Sequence, residues 1–333
     1  MEHIAKKRIE YTVRVANEQD LPAIIELFEL SLGAEHGAPT ESFWRWKHID
    51  NPFGVSPVLL AFDGDKLVGL RAFMRWQWQY QGRILPAFRA VDTGTHPDYR
   101  GKGIFSRLTK QLVAELKESE PSCFIYNTPN DQSKPGYLKM GWQVLGKPNI
   151  IGSVALRYSS KARQRFDTYH QYLQQLDLNN LPASYRVDVK QDRIHVNHSL
   201  AYYKWRYQSI PELPYGAYRY ETKEGEVLLF FHLKFRKYFY ELRISDALWL
   251  SGNPKRQMLM SASHRLAGHL GTPFISLVSK DPITYWERVR YRMFSMKKFA
   301  PELTIREVND KDLLALVSDI NNWSFTMGDL ELF

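Results

Sequence analysis

The stretch from Val91 to Trp142 constrains this chain most, because a strand signal, a glycine turn and a helix signal follow one another there without a gap. Val91-Asp92-Thr93-Gly94-Thr95-His96 reads as a strand, Pro97 to Gly103 as a turn, and Ile104-Phe105 open a segment whose Leu108, Leu112, Val113 and Leu116 recur at helical spacing. A glycine turn between a strand and a helix aims several backbone N–H groups at one point. The helix N-terminus adds partial positive charge there, which suits a pyrophosphate. The context, strand before and helix after, is what gives Gly101-Lys102-Gly103 its meaning.

Further along come Asn130, Ser133, Tyr137 and Gly141-Trp142. Taken with Arg100, Gly101, Lys102, Gly103 and Ile104, these residues resemble the GCN5-related N-acetyltransferases (GNAT), whose acyl-CoA loop reads Arg/Gln-x-x-Gly-x-Gly/Ala. Arg100 and Gly103 take the first and fourth places, and Phe105 departs from the small residue at the last. The ring either moves the helix start away from the pyrophosphate or turns into the core. The later motif, Asn-x-x-Ala and then Tyr-x-x-x-Gly-aromatic, is met by Asn130, Ser133 and Tyr137 to Trp142. The resemblance covers residues 8–150. It implies acetyl-CoA as acyl donor, held by Gly94, Thr95, Arg100, Gly101, Lys102, Gly103, Ile104, Phe105, Asn130 and Ser133.

The first part of the chain follows the expected order of elements. Tyr11–Ala16 alternates as a strand, Asn17 or Asp20 caps a helix over Leu21–Leu30, and a hairpin turns at Gly64. Strands follow over Met74–Tyr80 and Phe88–Thr95, then a helix from Ile104 to about Lys117 and a strand at Phe124–Asn127. The second half echoes this. Phe43-Trp44-Arg45-Trp46-Lys47 is answered by Tyr202-Tyr203-Lys204-Trp205-Arg206, the Gly64 hairpin by one at Gly225, and Tyr137–Trp142 by Trp286–Tyr291. Between Ser245 and Leu266 there is no second glycine loop, and Pro254 removes an N–H donor where one would stand. The fold class expected is therefore α/β (α+β): two GNAT-like domains, each a mixed, mostly antiparallel sheet flanked by helices. The boundaries are 1–155 for a coenzyme-binding domain, 156–180 for a connecting helix and 181–333 for a degenerate copy.

Composition narrows the class of protein. No apolar run reaches the eighteen residues or so that a membrane helix needs, and the charged N-terminus lacks a signal peptide's apolar core. One cysteine, Cys123, excludes an internal disulfide and suits the cytoplasm. No histidine, cysteine or carboxylate cluster has metal-ligand spacing, so no metal is expected. The net charge of +9 is uneven: residues 1–150 hold 19 Lys/Arg against 17 Asp/Glu, and residues 151–333 hold 26 against 19. The second half is a solvated basic face or meets an anionic partner, such as an anionic acceptor. Arg288, Arg290, Arg292, Lys297 and Lys298 are its densest group, and nucleic acid is only weakly indicated.

Acyl transfer to an amine needs a deprotonated amine, a polarised carbonyl and a proton for the departing thiolate. By the resemblance, Tyr137 stands beside the sulfur and is the candidate acid, its plain alternative being a core tyrosine. Asn130 bonds the pantetheine amides, caps a helix, or does both. Asp92 is a candidate base, an anchor for the acceptor's ammonium, or structural. In tandem proteins of the Eis (enhanced intracellular survival) type the terminal carboxylate reaches the active site, which makes Phe333 a further candidate. Trp44, Trp46, Trp76 and Trp78 are either sugar-stacking platforms or packing. The function expected is an acyl-CoA-dependent N-acyltransferase, acetylating a primary amine of a small acceptor such as an amino sugar. The alternatives are a FemABX-like aminoacyl or peptidyl transferase and a non-catalytic acyl-CoA-binding module.

Overall fold

The computed structural model describes residues 10–32, 38–156, 169, 172, 177–182, 184–279 and 281–330. In chain order the elements begin with β1 (Thr12–Val15), α1 (Leu21–Leu32), α2 (Glu41–His48), β2 (Val58–Asp63), β3 (Lys66–Tyr80), β4 (Arg83–Thr95), α3 (Ile104–Ser119), β5 (Phe124–Asn127), α4 (Lys134–Lys139), β6 (Gln143–Gly146) and β7 (Ile150–Val154). They continue with β8 (Arg186–Val187), β9 (His195–Val196), α5 (Leu200–Tyr203), β10 (Gly216–Thr222), β11 (Gly225–Arg236), β12 (Phe239–Gly252), α6 (Arg256–Leu270), β13 (Phe274–Val278), α7 (Tyr285–Tyr291), β14 (Met293–Ser295), β15 (Leu303–Glu307), α8 (Lys311–Val317) and α9 (Met327–Leu330).

Two compact units result. Unit 1 holds residues 1–77, 85–145 and 303–318; unit 2 holds 78–84, 146–302 and 319–333. Each has one mixed, mostly antiparallel sheet flanked by helices. The first runs β1-β2-β3-β4-β5-β15-β6, the second β10-β11-β12-β13-β7-β14. Strand alternation builds the core of unit 1 on both faces. Leu59, Ala61, Val68, Phe73, Phe88 and Ala90 pack with Leu108, Leu112 and Leu116 of α3. Leu60, Leu70 and Ala72 face Leu27 and Phe28 of α1 and Trp44 of α2 on the other side. Asn17 and Asp20 form a capping box on a short 3-10 turn that leads into α1.

The two sheets carry the same plan: a hairpin, a strand that pairs in parallel across a helix, then a short helix and strand. In both, the strand following that unit is exchanged. β7 pairs with β13 and β14 in the second sheet, and β15 pairs with β5 in the first. A single cut near residue 155 therefore does not separate the sheets. A chain ending at residue 155 lacks β15, so β5 and β6 of the first sheet lose the strand between them, and β7 loses its own sheet. Open edges of this kind drive aggregation. Such a fragment is expected to be insoluble, or to lack a cooperative melt, whereas an independently folded 1–155 would speak against the exchange.

The connecting helix expected over 156–180 lies mostly outside the described residues. Tyr172, which is helical, rests its ring 5.8 Å from Phe231 and 5.8 Å from Tyr218. Near the end of the chain Met327–Leu330 is helical. Thr326 and Asp329 account for this, since the Thr326 N–H donates to the Asp329 carboxylate at 2.7 Å and the Asp329 N–H donates to Thr326 Oγ1 at 3.3 Å. Reciprocal caps of this kind favour a helical turn over a strand.

Candidate active site in unit 1

Parallel pairing of β4 with β5 runs only from Ala87–Phe124 to Arg89–Tyr126. β4 continues to Thr95 while β5 ends at Asn127, so the strands part and leave a wedge. At the mouth of this wedge stands the glycine turn. Gly101 (φ 73°) and Gly103 (φ 79°) are both left-handed, and Gly103 is the N-cap of α3. Among the described residues a Cβ placed on either would meet nothing within 4 Å, so the turn faces open space. The first-turn N–H groups of α3, including Ile104 and Phe105, have no intrahelical acceptor. Side chains hold the turn from outside: Tyr99 donates to Asp63 at 2.6 Å, and Arg100 donates to the Ser31 carbonyl of α1 at 2.7 Å. Lys102 lies 4.4 Å from the Tyr99 ring. His96 caps the turn through Nδ1.

Phe105 turns inward. Its ring stands edge-on to Tyr137 at 5.6 Å, with the Arg71 guanidinium 5.4 Å from its centre. Arg71, on β3, is fully buried, and among the described residues no carboxylate pairs with it. It donates to the Val91 carbonyl and to the Tyr137 hydroxyl, both at 2.8 Å. Because that hydroxyl accepts from a group that can only donate, its own proton is directed elsewhere. α4 carries Tyr137. Asn130 stands before it, accepting from the Ser133 N–H at 2.9 Å, while the Ser133 hydroxyl donates to the Asn130 carbonyl at 3.4 Å. The N-cap of α4 is Ser133, so Asn130 closes the turn before the helix instead of capping it.

Asp92 gathers two partners from α2 that sequence reasoning missed. Its Oδ2 accepts from Lys47 Nζ at 2.7 Å and from His48 Nε2 at 2.8 Å, and both partner side chains are almost wholly buried. Lys47 and His48 follow Trp44 at helical spacing, which is the one sequence signal for a shared buried face. Burial alone raises the Asp92 carboxyl, but the Lys47 charge and the His48 hydrogen bond outweigh it and hold it far below the usual carboxylate range. Burial lowers His48 more than Asp92 raises it, so the imidazole is neutral near pH 7. A neutral ring facing a carboxylate must donate from Nε2. That leaves Nδ1, buried and without a partner among the described residues, as the lone-pair nitrogen.

Ala90 belongs to the cluster on the α3 face, whereas Asp92 meets α2 on the opposite face. Residues two apart on a regular strand share a face, so the alternation slips between them. Gly94 stays on the Asp92 side: its missing Cβ would lie 3.3 Å from Leu27 of α1, so only its backbone and that of Thr95 remain for a ligand. The four tryptophans are not a sugar platform. Trp44, Trp46, Trp76 and Trp78 are buried, Trp44 lying tilted against His48 at 4.2 Å, Trp76 meeting Phe53 at 5.4 Å, and Trp78 meeting Trp323 at 4.8 Å. Aromatic area of that size is drawn into cores. Phe333 lies outside the described residues. Arg288, Arg290, Arg292, Lys297 and Lys298 are exposed on unit 2. Among the described residues no helix is long and apolar enough to cross a membrane, and no group of three or more His, Cys, Asp or Glu could hold a metal.

A family model described as an acetyltransferase (GNAT) domain matches residues 12–145. A GCN5-related N-acetyltransferase from Anabaena variabilis ATCC 29413 superposes with a TM-score of 0.59 at 13% identity, covering 90% of this chain and 73% of that one. A conserved protein of unknown function from Enterococcus faecalis V583, described as a probable N-acyltransferase, gives the same score, identity and coverage: 0.59, 13%, 90% and 73%. Eis1 from Mycobacterium abscessus gives 0.52 at 13% identity over 93% of this chain and 76% of its own. No curated protein matches in sequence. At such identity the likeness concerns the fold, and it extends well beyond the residues that the family model covers. The chain has the fold of the GCN5-related N-acetyltransferase superfamily.

Proposed function

We propose that unit 1 is an acyl-CoA-dependent N-acyltransferase that moves acetyl from acetyl-CoA to a primary amine of a small acceptor, an amino sugar being one such class. The observation that carries this reading is the open, left-handed Gly101–Gly103 turn at the mouth of the same wedge that holds Tyr137. Bound acetyl-CoA supplies an activated thioester and a thiolate leaving group. The N–H groups of the turn and of the first turn of α3 hold its pyrophosphate, with Lys102 as a nearby cation. The parted edges of β4 and β5, with the Asn130 amide, receive the two amides of the pantetheine arm as a strand would be received.

Tyr137 gives its hydroxyl proton to the departing sulfur. Arg71 keeps a positive charge behind that oxygen throughout, which stabilises negative charge on Tyr137 or on the sulfur beside it. As the amine nitrogen bonds to the carbonyl carbon and the C–S bond breaks, the proton that nitrogen sheds restores the tyrosine, and one further proton goes to solvent. Asp92 anchors the acceptor's ammonium. A carboxyl held so far below its ordinary range is a weak base, whereas its charge and partial exposure suit a cation. Unit 2 lacks the turn, and one coenzyme per chain is proposed.

Gly103→Val tests the cradle. A β-branched residue is strained at φ 79° and fills the space in front of the N–H groups. Charge-assisted bonds of about 1.5–3 kcal/mol each are at stake, so coenzyme affinity by calorimetry is expected to fall at least about a hundredfold. A folded variant with unchanged affinity would remove the proposal, and two coenzymes per wild-type chain would remove the division between units.

A further inference from the structure

Tyr137 sits on a helix too short to hold itself. α4 has six residues, Lys134-Pro135-Gly136-Tyr137-Leu138-Lys139, and Gly136 is a poor helix former inside it. Its C-terminal end supplies the order instead. Gly141 is left-handed at φ 93°, and its N–H donates to the Leu138 carbonyl at 3.1 Å. The Trp142 N–H reaches back to the Tyr137 carbonyl at 3.2 Å. These two bonds make a Schellman cap, in which Tyr137 and Trp142 hold the two positions whose side chains pack together. Their rings stand 5.1 Å apart.

A residue far along the chain closes this cap from outside. Arg306, on β15, donates from Nη1 to the Met140 carbonyl, and its guanidinium lies 5.0 Å from the centre of the Trp142 ring. A Cβ on Gly141 would meet the same guanidinium at 3.6 Å. Arg306 thus places a cation on a carbonyl that the helix end leaves over, where the helix dipole favours it. Strand register fixes it there. β15 pairs with β5 so that Arg306 stands opposite Ile125 and on the face of Val308. Those two belong to the cluster that also holds Tyr137 and Trp142. Arg71 therefore holds the hydroxyl end of the tyrosine, and Arg306 holds the backbone end. Arg306 reaches unit 1 on residues 303–318, which return to it only after residues 146–302 have gone to unit 2.

We propose that Arg306 is a positioning residue for the proton donor, setting where the Tyr137 hydroxyl stands by fixing the cap that ends α4. This rests on the reading of Tyr137 as the acid. Arg306 acts through Met140 and Trp142, not on the reacting atoms. Without it the cap loosens and the hydroxyl is no longer held at the sulfur.

The test is free-thiol release from acetyl-CoA by the full chain, with whichever amine of a primary-amine panel headed by glucosamine wild type acetylates fastest. Each variant is assayed well below its own melting temperature. Arg306→Met keeps the apolar packing on Trp142 and is expected to lower kcat by about ten- to a hundredfold, the cost of a misplaced group. The KM for acetyl-CoA should stay within about twofold. Arg306→Lys, which keeps a donor for Met140, is expected to remain within about fivefold of wild type. In a Tyr137→Phe background no hydroxyl is left to place, so adding Arg306→Met should change kcat by less than about twofold. A merely structural arginine would instead lower the rate by the same factor in both backgrounds. That result overturns the proposal and leaves the acid reading standing, as does wild-type kcat in a folded Arg306→Met. If Tyr137→Phe alone keeps its kcat, the acid reading fails and the proposal with it. No thiol release by wild type with any amine of the panel removes the proposed reaction itself.

Discussion

Tyr137→Phe is expected to lower turnover about 10²–10⁴-fold, the range of a positioned proton donor, and to leave coenzyme affinity nearly unchanged. The substitution keeps the ring, its edge-on contact with Phe105 and its 5.1 Å approach to Trp142. What it removes is the hydroxyl, and with it the acceptor of one Arg71 hydrogen bond. That second loss is structural: a fully buried guanidinium gives up a partner, at a cost of about 1–3 kcal/mol. Turnover must therefore be read by free-thiol release well below the variant's melting temperature. A merely structural tyrosine would lower the melting point and leave the rate per folded molecule within about threefold. A proton donor shows the reverse weighting, with kcat reduced even where the protein is fully folded. Rate loss that varies with the pKa of the thiol leaving group, steeper for more basic thiols, would tie the hydroxyl to the sulfur.

The same pair shows what sequence can and cannot convey. Tyr137 stood out because its motif is local, a fixed distance from Asn130 and from Gly141-Trp142. The glycine turn was legible for the same reason, and so were β5 at Phe124–Asn127 and the start of α3 at Ile104, where strand and helix periods change within a few residues. Arg71 lies 66 residues before Tyr137, and His48 lies 44 before Asp92. Nothing local marks either as a buried partner, since Lys and Arg are ordinarily solvated and their burial is decided by the sheet that covers them. The exchange of β7 and β15 is illegible for a related reason: either strand would satisfy either sheet by its own pattern. The tryptophans were ambiguous because one apolar ring serves a core or a sugar equally.

Asp92→Asn is expected to cost about 3–5 kcal/mol, because it takes the carboxylate away from a buried lysine while the lysine remains. Lys47 has 3% of its side chain exposed and Asp92 19%, so water does little to screen what is left. At about 2–4 °C per kcal/mol for a body of this size, the melting temperature should fall by roughly ten degrees. Adding Lys47→Met should return at least about half of the loss, since the buried charge is then gone and apolar volume replaces it. Acid should trace the same cluster. His48 is held neutral below its ordinary value, so its share of stability is complete above about pH 6.5 and falls as pH drops below that. Asp92, depressed by Lys47 and His48, keeps its share down to the ordinary carboxylate range near pH 4 and loses it below. Asp92→Asn should therefore remove the steeper, lower step of the stability–pH curve. Equal melting temperatures for wild type and Asp92→Asn at pH 7 would mean that Lys47 finds water in solution, and the anchor proposed for the acceptor would lose its charge balance with it.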